Sequence, residues 1–288
     1  MKIGVVGLGL IGGSLCKTIR KNTPYVCYGL DKDTETVDKA LRDGAICARL
    51  EPDSLCEMDL TIVCLHPRQT IAFLLEYADS LRPGSIVTDV CGVKQSVVEA
   101  VEGILAQAGV RYVGAHPMAG REFSGYDYTT DSLFRGASFI LTPTEASDPE
   151  AVETLRAFAI ELGFGRVVLA TPQEHDEEIA FTSQLAHVVS NAYVKSPRLL
   201  SQSGFSAGSF QDLTRVAKLD EHMWTDLFLM NRPALIQELD TIIGHLSEYR
   251  AALKAEDENT LCALLRDGRI LKEKSLIQAK AVQDNKEA

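Results

Sequence analysis

Gly7-Leu8-Gly9-Leu10-Ile11-Gly12 decides the reading of this chain. The hexapeptide follows the apolar run Ile3-Gly4-Val5-Val6 and opens a helical pattern, the strand–turn–helix setting in which a GxGxxG has physical meaning. Gly7 permits the tight turn, Gly9 lets backbone approach a pyrophosphate, and Gly12 lets helix pack on strand. The helix start then offers N–H donors and the positive end of its dipole to phosphate, so residues 7–12, with Leu8, Leu10 and Ile11 among them, are expected to hold a dinucleotide. Asp31 stands about 20 residues further on, at the end of the second apolar run. A carboxylate there accepts ribose hydroxyls and repels a 2′-phosphate, so NAD is expected rather than NADP; Lys32 beside it weakens that exclusion. The competing reading is a glycine-rich turn with an incidental surface Asp.

Outward from this unit, short apolar segments alternate with helical stretches. Tyr25–Leu30, Leu60–Leu65, Ser85–Val90, Arg111–Ala115, Ser138–Leu141 and Arg166–Leu169 read as strands. Leu60–Leu65 is apolar nearly throughout, as a strand covered on both faces should be. The alternation predicts an α/β fold with an N-terminal doubly wound sheet of the Rossmann kind over 1–170. Ser147 with Glu150 reads as a capping box. Beyond Thr171-Pro172 no strand pattern remains, which predicts an all-helical domain over 171–288. One long helix is expected from Glu174 to about Ser196, a Ser/Gly-rich loop over 201–212, and helices over 233–254 and 258–281. Leu235, Leu239, Ile242, Leu246, Tyr249 and Leu253 recur in steps of four and three, a heptad-like seam that predicts a homodimer.

The net charge of −11 argues against a nucleic-acid partner, which calls for a basic footprint. It also requires any anionic substrate to be met by a local group of Arg and His. The seven cysteines, at 16, 27, 47, 56, 64, 91 and 262, show no CxxC and no metal-ligand spacing, so no metal is expected and the thiols read as reduced. The N-terminus reads as a strand rather than a leader, and no apolar run reaches the ~18 residues of a membrane span. A cytoplasmic location without a membrane partner follows as the expectation.

Three further stretches carry polar groups suited to chemistry. His116 lies in Gly114-Ala115-His116-Pro117-Met118-Ala119-Gly120, just after the sixth apolar segment, where strand ends open toward ligands. Ser183, His187 and Asn191 fall at i, i+4 and i+8 on the long helix, a stripe that a solvated face would show equally. Arg215 follows the flexible loop, and its planar fork suits a carboxylate as well as a surface ion pair.

Taken together, GLGLIGGSL (7–15), DVCGVK (89–94), AHPMAGREFSG (115–125), SQLAH (183–187), DLTRVA (212–217) and MWTDLFLMN (223–231) closely resemble the prephenate/arogenate dehydrogenases of tyrosine biosynthesis. The resemblance spans nearly the whole chain and implies a Rossmann domain, a helical dimerisation domain and oxidative decarboxylation of a cyclohexadienyl acid. It implies His116 as the base or hydrogen-bond acceptor for the ring hydroxyl and Arg215 as the carboxylate clamp. His187, with Ser183 and Gln184 beside it, is implied as a further substrate contact, in a cleft between the two domains. Two positions depart from the common pattern. Gly92 stands where many members have Ser, and Gln184 and Ala186 replace the residues of a SHLPH motif. Prephenate is the expected substrate, favoured by the family and by NAD use; arogenate, which carries an amino in place of the keto group, is the alternative. Two other classes are weighed against this one. A β-hydroxyacid dehydrogenase would rely on a helix lysine, for which Lys195 is the nearest candidate. A non-catalytic dinucleotide sensor would have little use for His116, His187 and Arg215 together.

Overall fold

Strands β1 (Lys2–Val6), β2 (Val26–Leu30), β3 (Ala48–Arg49), β4 (Leu60–Val63), β5 (Ile86–Asp89) and β6 (Arg111–Tyr112) form one sheet in the order β3-β2-β1-β4-β5-β6. Every pairing in it is parallel. The order reverses between β1 and β4, the topological switch at which doubly wound sheets bind ligands beyond their carboxyl ends. The computed structural model describes residues 1–121 and 123–287, with side chains described through 278. All four residues of β4 are buried, because helices cover both faces. Successive side chains of a strand point to opposite faces. Ile3, Val5, Leu60 and Ile62 accordingly enter one apolar cluster, and Val6, Val63 and Val87 enter the other. Helices α1 (Leu10–Asn22), α2 (Thr34–Arg42), α3 (Pro67–Tyr77) and α4 (Gln95–Gln107) make the crossovers.

The expected sixth strand, Arg111–Ala115, is divided. Val113 still donates its N–H to Val87 O, but the chain then leaves the parallel sheet, and β7 (Gly114–Pro117) starts a second one. There β7 pairs antiparallel with β8 (Ser138–Thr142), which pairs parallel with β9 (Arg166–Leu169). Gly114 makes the transfer possible, since a Cβ there would sit 2.6 Å from Thr142 Oγ1. His116 therefore lies in a strand opposite Ile140 rather than in a loop. The two-residue β3 carries too little apolar pattern to be seen in sequence.

Helix α5 (Pro149–Glu161) is capped by Asp148, which accepts from Glu150 and Ala151 N–H, one residue after the expected Ser147. Ser147 Oγ instead accepts from Thr144 N. The capping box sits at the next helix: Thr171 and Glu174 satisfy each other's backbone donors at the start of α6 (Pro172–Ile179). The expected long helix is also interrupted. A π turn over Ala180–Gln184 separates α6 from α7 (Leu185–Tyr193). Helices α8 (Gly208–Thr214) and α9 (Glu221–Met230) follow, α8 beginning inside the expected loop.

The chain forms two compact units, Met1–Leu235 and a second from Ile236 onward. The second consists of most of α10 (Arg232–Lys254) and of α11 (Glu258–Glu287), with Glu256 left-handed in the turn between them. Along the heptad-like seam Ile242 and Tyr249 are half-buried, whereas Leu246 and Leu253 are 60% and 62% exposed. No strand follows β9 among the described residues, and no helix among them is long and apolar enough to cross a membrane. All seven cysteines are unpaired; Cys16, Cys27 and Cys91 are buried, while Cys47, Cys56 and Cys262 are exposed.

Candidate active site

The glycine turn has the geometry a dinucleotide needs. Gly7 adopts φ +89°, and a Cβ on it would meet Cys64 O at 2.7 Å. A Cβ on Gly12 would lie 1.9 Å from Gly7 O, so helix and turn touch backbone to backbone. At Gly9, by contrast, a Cβ would meet nothing within 4 Å: this is the open side of the cradle. Gly9 is the N-cap of α1 without a side-chain cap, and no acidic residue lies in the first turn. The N–H groups of Leu10, Ile11 and Gly12 are thus left for an anion. Asp31 Oδ2 accepts from Leu8 N at 2.7 Å and Oδ1 from Asp33 N at 2.9 Å. A carboxylate has about four acceptor sites, so two remain for ribose hydroxyls. Leu8 spends its N–H on Asp31 and buries its side chain; its part is to lock the turn to β2.

A continuous hydrogen-bonded chain leads to His116. Asp176 Oδ1 contacts His175 Nδ1 at 2.8 Å, and His175 Nε2 contacts His116 Nδ1 at 2.9 Å. Burial is the main influence that pushes His175 below its ordinary range, against the opposing pull of Asp176, so its ring is neutral. The proton order then follows. The carboxylate only accepts, so His175 carries its hydrogen on Nδ1 and accepts at Nε2. His116 must donate from Nδ1, which leaves the lone pair on its Nε2. His116 is itself held well below the usual imidazole range, first by burial, then by His175 and the Lys94 ammonium. The arrangement presents a neutral imidazole with a fixed acceptor nitrogen, the state a general base requires at neutral pH.

Asp176 is anchored from two further directions. Lys94 N and Gln95 N, at the start of α4, donate to its oxygens at 2.8 and 2.9 Å. Asn231 Nδ2 donates to its backbone carbonyl at 2.7 Å and to Gln184 Oε1 at 2.9 Å. Gln184 Nε2 reaches Leu227 O at 3.3 Å. Gln184, expected at the substrate, is 1% exposed and spends both ends of its amide tying α9 to the π turn; the structure makes it a strut. Ser183 offers its backbone instead: His187 Nδ1 donates to Ser183 O at 2.8 Å. His187 stacks on Trp224 with ring centroids 3.8 Å apart. Burial, and to a lesser degree the charge of Arg215, lower its pKa. Asn191 Nδ2 reaches Ala217 O at 3.5 Å, linking α7 to the turn that carries Arg215. The Ser183/His187/Asn191 stripe is therefore a half-buried face, with His187 packed on Trp224 and Asn191 tied to Ala217.

His116, His187 and Arg215 all belong to the unit Met1–Leu235, as does the glycine turn. Lys94, His175, Asp176, Trp224 and Asn231 join them, although sequence reasoning gave none of these a role. Two signals pointed to them: a His-Asp pair just inside a capped helix, and a lone Lys closing the apolar DVCGVK stretch. Gly92 faces His116, and a Cβ there would lie 3.8 Å from Nε2.

A six-stranded parallel sheet in this order, a glycine turn open at Gly9 and a neutral histidine with a fixed acceptor nitrogen define a nucleotide-binding oxidoreductase. The family model for the prephenate dehydrogenase nucleotide-binding domain matches residues 15–169, and that for the prephenate dehydrogenase dimerization domain matches 171–267. The chain belongs to the prephenate dehydrogenase family. The prephenate dehydrogenase of Bacillus subtilis is 32% identical over 96% of this chain and 78% of its own length. The cyclohexadienyl dehydrogenase of Zymomonas mobilis is 32% identical over 90% of each chain. Among solved structures, the A. aeolicus prephenate dehydrogenase in complex with hydroxyphenyl propionate and NAD+ gives a TM-score of 0.85 at 28% identity, covering 95% of this chain and 98% of that one. The Synechocystis arogenate dehydrogenase gives 0.83 at 29% identity, covering 96% and 100%.

Proposed function

We propose that the protein catalyses the NAD-dependent oxidative decarboxylation of prephenate to 4-hydroxyphenylpyruvate and CO2 in tyrosine biosynthesis. The observation that carries the reading is the His116 Nε2 lone pair, fixed by a neutral His175 that Asp176 holds in one tautomer. Gly7 to Gly12 and Asp31 would hold the dinucleotide, which when bound supplies an acceptor for hydride. His116 Nε2 takes the proton of the ring hydroxyl as the carbon bearing it is oxidised. Arg215 meets a substrate carboxylate, offsetting the repulsion of a chain with net charge −11. His187, with Nδ1 committed to Ser183 O, turns Nε2 to the substrate. Loss of CO2 makes the ring aromatic and the reaction strongly downhill; a hydride acceptor and a base account for the chemistry without a metal.

The division of labour places the nucleotide in 1–170 and dimerisation in 171–288. The exposed Leu246 and Leu253 on α10 support a homodimer formed through the C-terminal helices. Seven unpaired cysteines suit a reducing cytoplasm.

The test is direct. Purified protein with NAD and prephenate should form NADH, with arogenate as the parallel arm and NADP as the cofactor control. Absence of turnover with both acids under both cofactors would refute the reading; turnover confined to arogenate would reassign the substrate.

A further inference from the structure

The most deeply buried cation among the described residues stands beside this site. Lys94 has no exposed side-chain surface, and neither has the Asp89 it is paired with. Asp89 is held besides by Tyr112 Oη at 2.6 Å and by Cys91 N at 2.8 Å. A buried ion pair is a weak source of stability, because desolvation offsets most of its attraction. Its location is more informative. Lys94 Nζ also donates to Ala115 O at 2.6 Å, the carbonyl immediately before His116. The backbone N–H of the same residue donates to Asp176. The contacts therefore close a ring: Lys94 N to Asp176, Asp176 to His175, His175 to His116, and Ala115 O back to Lys94 Nζ. One residue grips both ends of the chain that aims the imidazole.

We propose that Lys94 is a positioning residue for the reaction, fixing where His116 sits and on which nitrogen its proton resides. The proposal rests on His116 being the base. Two effects act together. The clamp on Ala115 fixes β7 immediately before His116, so the His116 ring meets His175 in one orientation. The ammonium also opposes a second positive charge on either ring, adding to burial in keeping both imidazoles neutral. The ionisable groups that act on His116 are His175, in contact with it and backed by Asp176 on α6, and Lys94 before α4, whose partner Asp89 on β5 also accepts from Tyr112 on β6 and from Cys91 N. Among them Lys94 is the cation; the carboxylates of Asp89 and Asp176 are each met by several donors.

The test uses the full-length protein with 15N-labelled histidine, and Lys94→Met alone and with Asp89→Asn, the latter leaving no unpaired buried carboxylate. Long-range 1H–15N spectra read the tautomer and titration of His116 with no substrate present. Wild type should carry the hydrogen on Nδ1. In the variants the tautomer should become mixed, and protonation should move to higher pH as the opposing charge is lost. With prephenate and NAD, the acidic limb of kcat/KM should move up with it and kcat/KM should fall about 10²-fold, the scale of a misplaced reacting group. NAD affinity should hold. A folded variant with wild-type tautomer and titration overturns the proposal. Should neither variant fold, Lys94→Arg, which keeps the charge but moves the donor, is read in their place: wild-type tautomer with wild-type kcat/KM overturns the proposal, and a mixed tautomer with reduced kcat/KM supports it; a hydrogen on His116 Nε2 in wild type overturns it in any case. Expected spectra with no turnover of either acid would sink the proposed function and leave the role of Lys94 toward His116 standing.

Discussion

Replacing Asp176 by Asn tests the proton order at its origin. The carboxylate accepts from Lys94 N at 2.8 Å, Gln95 N at 2.9 Å and His175 Nδ1 at 2.8 Å, all from buried or half-buried donors. An amide of the same shape has one oxygen and cannot serve three donors on two sides. With its oxygen toward Lys94 and His175, its NH2 confronts the Gln95 N–H. Turned round, its NH2 confronts Lys94 N–H and donates to His175 Nδ1. One buried backbone donor is lost either way, about 1–3 kcal/mol. Loss of the negative charge at the start of α4 adds about 0.3–1 kcal/mol. The expected destabilisation is roughly 1.5–4 kcal/mol. Either orientation keeps two of the three hydrogen bonds, which leaves the turned amide populated. It moves the His175 hydrogen to Nε2, makes His116 Nδ1 an acceptor and puts the His116 hydrogen on Nε2, where no base remains. The corresponding carboxylate-to-amide change in a serine-protease triad lowers turnover about 10⁴-fold through the wrong tautomer. The unturned amide keeps the right tautomer but lacks the carboxylate charge that stabilises the protonated imidazole, so kcat should fall here by about 10²–10⁴. Initial rates of NADH formation at saturating NAD measure this, and urea unfolding measures the stability change. A folded Asp176→Asn protein turning over within about threefold of wild type would refute the relay and return His116 to an unassisted role.

His116→Asn should reduce turnover by about 10²–10⁴ while leaving NAD affinity intact, since the ring belongs to β7 and not to the glycine turn; unchanged turnover would remove it from the base role. Arg215→Ala should raise KM for prephenate more than it lowers kcat, read from full saturation curves; the reverse pattern would contradict a mainly ground-state contact. Stability should decline as pH falls from about 7.5 toward 5.5. His116, His175 and His187 all have folded pKa values below the ordinary one, so in this window the unfolded chain takes up protons that the native rings refuse. Each such proton contributes a slope of up to about 1.4 kcal/mol per pH unit, less for the half-exposed His187, and urea midpoints at the two pH values check the sign.

The dinucleotide half was legible because local chemistry fixes it. Gly7 must be left-handed, Gly12 must touch Gly7 O, and Asp31 must stand at the end of β2 whatever the rest of the chain does. The site of the proton chemistry was legible only in part, because its geometry is non-local. Lys94 and Asp176 are 82 positions apart and His116 and His175 are 59 apart, so no spacing rule joins them. The interruption after Ile179 was hidden for a different reason: a π turn inserts one residue into a helical period without altering composition. That insertion decides Gln184, which faces inward to Asn231 instead of toward substrate.

Gly92 is where the sequence and the geometry combine to say more than either alone. The residues resemble a pattern in which a serine stands at this position, and its absence left the partner of the histidine undetermined. A Cβ at Gly92 would lie 3.8 Å from both Nε2 and Cε1 of His116 and from Leu227 Cδ2, ordinary contact distances that exclude nothing. The glycine is therefore not required by crowding. What it does is leave the Nε2 face of the ring open, while the Nδ1 face is closed by His175. A hydroxyl at position 92 could polarise the imidazole from the substrate side; without one, the orientation of the base must come entirely from behind, through His175, Asp176 and the buried Lys94. The completeness of that rear support, with both Asp176 oxygens, both His175 nitrogens and His116 Nδ1 engaged, is what allows the front to be bare.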